Sequence, residues 1–528
     1  MALRKRMLAS VIAVALAVGT PNLAAFAEDP YQYFKTPSTE DSYVIVVGEP
    51  SDIGNNSQLA VQPPKAALGE RASWAWCRDA NDKTCDFTDP KKDILAWQIM
   101  PNCAETTEEL CVESLDLAAP EEDYKPAEFL RTAKGGVRYP AVAKLNLHEA
   151  ATPSLYTATN AVNAGGTTTY AVIMKMSQHW NFKTKKFTNG PITANVVPYR
   201  EQQGQYGPVE YDATATDGEN YRSIGAVSAC AFAEAGVCGV TQDFTTGTRA
   251  RVKFRIPSDI AGWFSGRLKD PEISITKHSA TANLVTMAAE SVVVPRLALV
   301  RKKSALTAKE KNFNIGIGGI ESGTSMGLSA SDEDVFEYID FYRPLLKDTA
   351  AGTNSYWNMQ TASSGGGSSC LSDSSKVLGI VTTNAMGYAS GSPSFNNGTL
   401  DYKVAGLHYL PGGKSEVEGS YNFVMRSETA RCLYGFSKAP ISARISVTSA
   451  TGEKKVATTV VSEKNGWLKL AAYGFTFSSP TISVKLSQGK AAPVAKKTTI
   501  TCVNVKYKVL TKKVTAAKPK CPSGYKKK

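Results

Sequence analysis

The chain has 528 residues, a formal net charge of +12, 42% hydrophobic and 20% charged residues, a balance that excludes disorder throughout. At about 100–200 residues per domain the length suits three or four domains, and the one long apolar run, at the N-terminus, excludes a polytopic membrane protein. The charge is unevenly placed: twelve lysines and no acidic residue lie between Lys490 and Lys528, and Arg4, Lys5 and Arg6 open the chain, so residues 28–489 are left slightly acidic.

The first residues read as a secretory signal. Arg4-Lys5-Arg6 is a basic start, Met7 to Val18 an apolar core, and Ala25-Phe26-Ala27 a cleavage motif that predicts a mature chain from Glu28. An apolar core of this length falls short of the roughly 20 residues a spanning helix needs. Ten cysteines in an exported chain are expected to pair. Cys77 and Cys85, Cys103 and Cys111, and Cys230 and Cys238 repeat one interval, and Cys370 with Cys432 and Cys502 with Cys521 complete five sequential pairs. Cys77, Cys85, Cys103 and Cys111 alone permit three arrangements. The wide spacing does not suit zinc, whose ligands stand closer along the chain.

In chain order, Ser42 to Val47 is a β-branched run stopped by Gly48-Glu49-Pro50, and Trp74 and Trp76 are expected to pack over the bridge at Cys77. Thr169 to Met176 and Ile192 to Val197 predict strands, the second ending before Pro198. Arg251 to Ile256 and Glu272 to Thr276 alternate apolar and polar residues. Between them, Gly262-Trp263-Phe264-Ser265-Gly266-Arg267 sets two rings among glycines. It is read as a possible ligand loop in which Trp263, Phe264 and Arg267 meet a protein or glycan, against the commoner fate of a buried Trp. Ser331-Asp332-Glu333-Asp334 has the form of a capping box, with Val335, Ile339 and Tyr342 at helical spacing until Pro344. Ile441 to Val447, Val456 to Ser462, Trp467 to Leu470 and Ile482 to Leu486 predict strands, with Asn465-Gly466 a type I′ hairpin turn. Val503, Val505, Tyr507 and Val509 alternate as a further strand, returning through Lys512 to Thr515.

These elements predict a mainly β fold: tandem β-sandwich-like domains with few short helices and a disulfide-closed C-terminal hairpin. The expected divisions are a signal peptide (1–27), a disulfide-stapled β domain (28–150), a sandwich-like domain (151–300), a β-rich domain with one short helix (301–489) and a Lys-rich tail module (490–528).

No chemistry-bearing motif is complete. Gly323-Thr324-Ser325-Met326-Gly327 matches G-x-S-x-G and resembles the nucleophile segment of subtilisin-like proteases. The chain offers only His148, His179, His278 and His408 as bases and lacks an upstream H-G-T segment, so a plain loop is the better reading. His148-Glu149 is not continued as H-E-x-x-H. Asp79, Asn81 and Asp82, or Asp86, Asp89 and Asp93, supply oxygen ligands without the spacing of a calcium loop, and are read as turn residues. No catalytic residue, metal ligand or cofactor is assigned.

The run from Ile500-Thr501-Cys502 through Lys512-Lys513-Val514-Thr515 to Cys521-Pro522-Ser523-Gly524-Tyr525-Lys526-Lys527-Lys528 resembles a terminal segment of secreted and cell-surface proteins of actinobacteria. Gly262 to Pro271, Ala430 to Phe436 and Ala439 to Val447 also resemble parts of that group. The resemblance implies export and residence at the cell surface, and it transfers no catalytic residue. Lys506, Lys508, Lys512, Lys513, Lys526, Lys527 and Lys528 are then expected to bind an anionic cell-envelope polymer or lipid headgroups, with nucleic acid not expected as a partner. The expected role is binding, adhesion or structure without enzymatic activity; the alternative is a secreted hydrolase or carbohydrate-active protein whose catalytic carboxylates are not identifiable.

Overall fold

A computed structural model describes residues 42–49, 56–62, 75–90, 92–207, 209–211, 221–223, 230–316, 320–322, 325–362, 368–437, 440–448, 454–455, 458–477, 481–488, 498–516 and 518–528. The signal sequence, Trp74 and the 489–497 linker lie outside them. The fold is mainly β, with several sheets and three short α-helices among the described residues.

One sheet of fifteen strands organises the body. Its central run places Lys186–Gln203, Asn358–Ala362, Gly262–Arg267, Val377–Thr383, Gly419–Arg426 and Trp467–Phe475 side by side. Neighbours are antiparallel except Gly262–Arg267 and Val377–Thr383, which run parallel. A five-stranded sheet that includes Val112–Ala118, Arg249–Pro257 and Ala282–Glu290 shares a core with one face of this sheet. There Leu115, Phe254 and Met287 meet Val172, Phe264 and Val424. A six-stranded sheet with Thr399–Ala405, Ile441–Thr448 and Thr481–Gln488 shares a second core, in which Tyr402, Ile445 and Val484 meet Trp263, Phe423 and Leu470. The central strands are therefore buried on both faces, and two sandwiches share their middle layer.

This arrangement corrects the expected divisions at 150 and 300. Strands from all three body segments are hydrogen-bonded neighbours in one sheet, so those boundaries do not separate independent units. The N-terminal strand Ser42–Gly48 likewise lies between Ala298–Lys302 and Ser325–Ser329. The strand expected to stop before Pro198 runs on to Gln203. Pro191, inside the same strand, falls where the register with Thr169–Asn181 shifts, a position that needs no ladder N–H.

The helix expected at Val335 spans Val335–Tyr342 and buries Val335, Phe336, Tyr338, Ile339 and Tyr342. Its start is not a capping box: Asp334 makes no side-chain cap, and the Asp332 carboxylate accepts the Asp334 N–H at 3.0 Å. The reciprocal box sits at Ala308–Gly316 instead. There the Thr307 hydroxyl accepts the Glu310 N–H at 3.1 Å, and the Glu310 carboxylate accepts the Thr307 N–H at 2.8 Å. The Asn465-Gly466 turn has positive φ at both residues (53° and 79°), as a type I′ turn requires.

All five sequential disulfides form: Cys77–Cys85, Cys103–Cys111, Cys230–Cys238, Cys370–Cys432 and Cys502–Cys521. Such bridges belong to an oxidising compartment. Trp180, packed with Phe187 and Phe87, shares a core with Cys77 and Cys85.

The proposed ligand loop is instead the strand Gly262–Arg267, at the centre of the shared sheet, and Trp263, Phe264 and Arg267 are each 0% exposed. The Trp263 ring lies 5.6 Å from that of Phe423 and donates its N–H to the Leu371 carbonyl at 2.8 Å. A Cβ at Gly379 would stand 2.5 Å from that ring, so glycine makes room for it. Arg267 donates to both Glu49 carboxylate oxygens, at 3.0 and 2.7 Å. It also donates to the carbonyls of Thr383 (3.0 Å), Ala385 and Met386 (3.3 Å), and its guanidinium lies 4.5 Å from the Tyr388 ring. Burial disfavours the cation, but the Glu49 carboxylate outweighs it and holds the guanidinium above its ordinary value.

Arg267→Met strands Glu49 without a partner and is expected to cost about 3–5 kcal/mol. Adding Glu49→Leu recovers only part of that loss, because the three carbonyls stay unpaired; denaturant unfolding of both variants checks the order. Replacing Cys370 and Cys432 by Ser opens the longest bridged loop and is expected to cost about 4 kcal/mol by chain entropy, read in the same titration.

Candidate functional site

Two places collect functional groups: a cleft beside the Cys103–Cys111 bridge and the C-terminal module. The cleft, about 310 Å³, is lined by Glu105, Glu149 and Arg138 with Pro101, Pro140 and Tyr139. The Glu105 carboxylate accepts from the Thr132 hydroxyl at 2.9 Å and that of Glu149 from the Thr106 hydroxyl at 2.6 Å. Nearby Glu108 is pushed up by burial and then by the Glu149 charge. Sugar-stacking requires an open aromatic face, and Tyr139 is buried, with its hydroxyl directed to the carbonyls of Gln58 and Trp97. The cleft sets two carboxylates and a guanidinium around one space, and Tyr139 gives it no stacking platform.

Three of the expected turn carboxylates serve their own backbone, whereas Asp93 opens the strand Asp93–Ile99 and is not a turn residue. Asp79 accepts the Asn81 N–H at 2.6 Å, Asp82 those of Arg78 and Thr84 at 3.0 Å each, and Asp86 that of Thr88 at 2.9 Å. The hydroxyl and N–H of Thr88 hold the Asp86 carboxyl below its ordinary value. No cluster of three or more metal-binding side chains occurs among the described residues. Of the G-T-S-M-G segment, Gly323 and Thr324 lie outside the described residues. On either side of them Ser322 pairs with Ser325, and Ser325–Ser329 is a strand. A nucleophile elbow passes from strand to helix, whereas Ser325 opens a strand.

In the C-terminal module, Thr498–Asn504 pairs with Thr511–Ala516 on one side and Tyr525–Lys527 on the other. Among the described residues these three strands pair only with one another. The Cys502–Cys521 bridge closes the module, with Cys502 buried. Lys506, Lys508, Lys512, Lys513, Lys518, Lys520, Lys526, Lys527 and Lys528 are all exposed, and no acidic residue occurs in the segment. The structure thus brings the expected lysines together in one small module, Lys506 and Lys508 beyond the end of its first strand.

The strand expected through Val509 ends at Asn504. The Asn504 side-chain oxygen accepts the N–H of Lys506 at 3.0 Å and of Tyr507 at 2.9 Å, turning the chain out of the ladder. The Asn504 N–H then meets the Leu510 carbonyl at 2.9 Å, so residues 505–510 form a closed tip. No helix among the described residues is long and apolar enough to cross a membrane.

Replacing Glu149 by Gln is expected to lower the Glu108 pKa towards, but not to, its ordinary value, since burial remains the larger cause; NMR titration of labelled glutamate carboxyls reads the shift. The sign follows for stability. A carboxyl raised in the folded state contributes stability that is present below the unfolded value and lost as pH rises through the folded one, and Glu149→Gln narrows that window.

Comparison with protein-family profiles, with curated proteins and with solved structures finds no match to this chain.

Proposed function

We propose that this is an exported, cell-surface or extracellular β protein with a binding, adhesive or structural role and no enzymatic site, held near the envelope by its basic C-terminal module. The observation that supports this most is the module itself. It is a bridge-closed sheet carrying nine described, exposed lysines and no acidic group. A body that is slightly acidic beyond it does not account for such a concentration of one sign. Its complement outside a cell is a surface of phosphates or carboxylates, whether polymer or lipid headgroup. Five disulfides fit the same compartment.

Deleting 490–528 is expected to release the protein from cells into the medium, and high salt is expected to wash off most of the full-length form, because exposed charges are screened. Each Lys→Gln among Lys506, Lys508, Lys512, Lys513, Lys526, Lys527 and Lys528 is expected to weaken attachment by roughly 1 kcal/mol. Immunoblots of cell and medium fractions across a salt series check both; equal association of truncated and full-length protein at every salt concentration overturns the reading.

A further inference from the structure

The tip of the C-terminal module is apolar in a way that charge alone does not explain. Val505, Tyr507, Val509 and Leu510 are 59%, 57%, 90% and 51% exposed. They are four of the ten large hydrophobic side chains exposed among the described residues, and they fall within six consecutive positions. The tip is held in shape by its own backbone. Leu510 donates to the Tyr507 carbonyl at 2.9 Å, Val505 to the Gly524 carbonyl at 2.9 Å, and the Asn504 side chain closes the turn. These side chains therefore stay in solvent instead of folding back on the small sheet.

Lysines surround them. Lys506 and Lys508 alternate with the apolar residues, Lys512 stands opposite Cys502, and Lys526 opposite Val503, both within two residues of the strand end. A second copy of the chain is a poor occupant, since it brings the same positive charge. A water-soluble polyanion satisfies the lysines and leaves Val509 and Leu510 in water. A bilayer with anionic headgroups satisfies both, with phosphates at the depth of the ammonium groups, Tyr507 at the polar boundary and the aliphatic side chains among the upper acyl chains. Resting on the function proposed above, we infer that residues 505–510 insert into the interface of an anionic lipid bilayer, and that the lysines around them fix the depth.

The test uses the full mature chain and vesicles of phosphatidylglycerol mixed with phosphatidylcholine, read by flotation. A variant carrying Val505→Ser, Tyr507→Ser, Val509→Ser and Leu510→Ser keeps every lysine and the bridge, which non-reducing peptide mapping verifies; Val509→Ser alone is the milder version should the fourfold variant misfold. Wild type is expected to bind and to leave a bound fraction in molar salt. The fourfold variant is expected to bind at least about tenfold more weakly, through lost apolar burial, and to come off completely in salt. Equal binding of variant and wild type at every salt concentration overturns insertion while leaving the basic tail as an electrostatic anchor. Binding of wild type to immobilised polyphosphate but not to vesicles overturns it in favour of a polymer. Failure of wild type to bind either surface overturns the anchoring function together with it.

Discussion

An almost fully buried charged pair sits where the layers of this protein meet, and much of the architecture is a response to it. Arg267 cannot be buried without acceptors, and it finds five, two on Glu49 and three on the turn from Thr383 to Met386. That geometry holds the residue after the N-terminal strand, the central strand of the shared sheet and a distant turn in one arrangement. The strand carrying Arg267 also supplies Phe264 to one core and Trp263 to the other. Two sandwiches and the small sheet around Ser42–Gly48 thus meet at a single six-residue segment.

The C-terminal module is built on the opposite principle. Its core is little more than a disulfide with Ile500, Val514 and Tyr525 half-buried nearby. A small isolated sheet is marginal in water, and closing its loop restrains the unfolded chain by about 3 kcal/mol. What remains of its surface is given over to lysine and to the apolar tip. A body built on doubly buried strands and a stapled, lysine-covered module are thus joined in one chain.

How much of this was readable from the sequence follows from how local each feature is. Strands with one wet face, such as Arg249–Pro257, announce themselves by alternation. The Asn465-Gly466 turn and the repeated cysteine interval are equally local. Gly262–Arg267 is not, because a strand buried on both faces has no polar side to show, and its glycines imitate a loop. The boundaries near 150 and 300 misled for a related reason: strand order in the shared sheet is unrelated to chain order. At the candidate site the lysines were plain in the composition, whereas the tip was not. Val503 to Val509 alternates like any strand, and only the Asn504 side chain, by competing for two backbone N–H groups, ends it early. Thr307 and Glu310 carry the same local pattern as Ser331 and Asp334, and what separates them is that the acidic neighbours of Ser331 make a turn of their own.

The pairing of Ser42–Gly48 has a consequence for the order in which the molecule can assemble. Its two partners, Ala298–Lys302 and Ser325–Ser329, lie about half the chain away, and the carboxylate that follows it waits for Arg267. A chain emerging N-terminus first presents Tyr43-Val44-Ile45-Val46-Val47 long before any of these exist. Such a β-branched, uncharged run is a template for wrong pairing while it waits. Contacts this distant also close slowly. The earliest of the described strands to appear is therefore among the last that can settle.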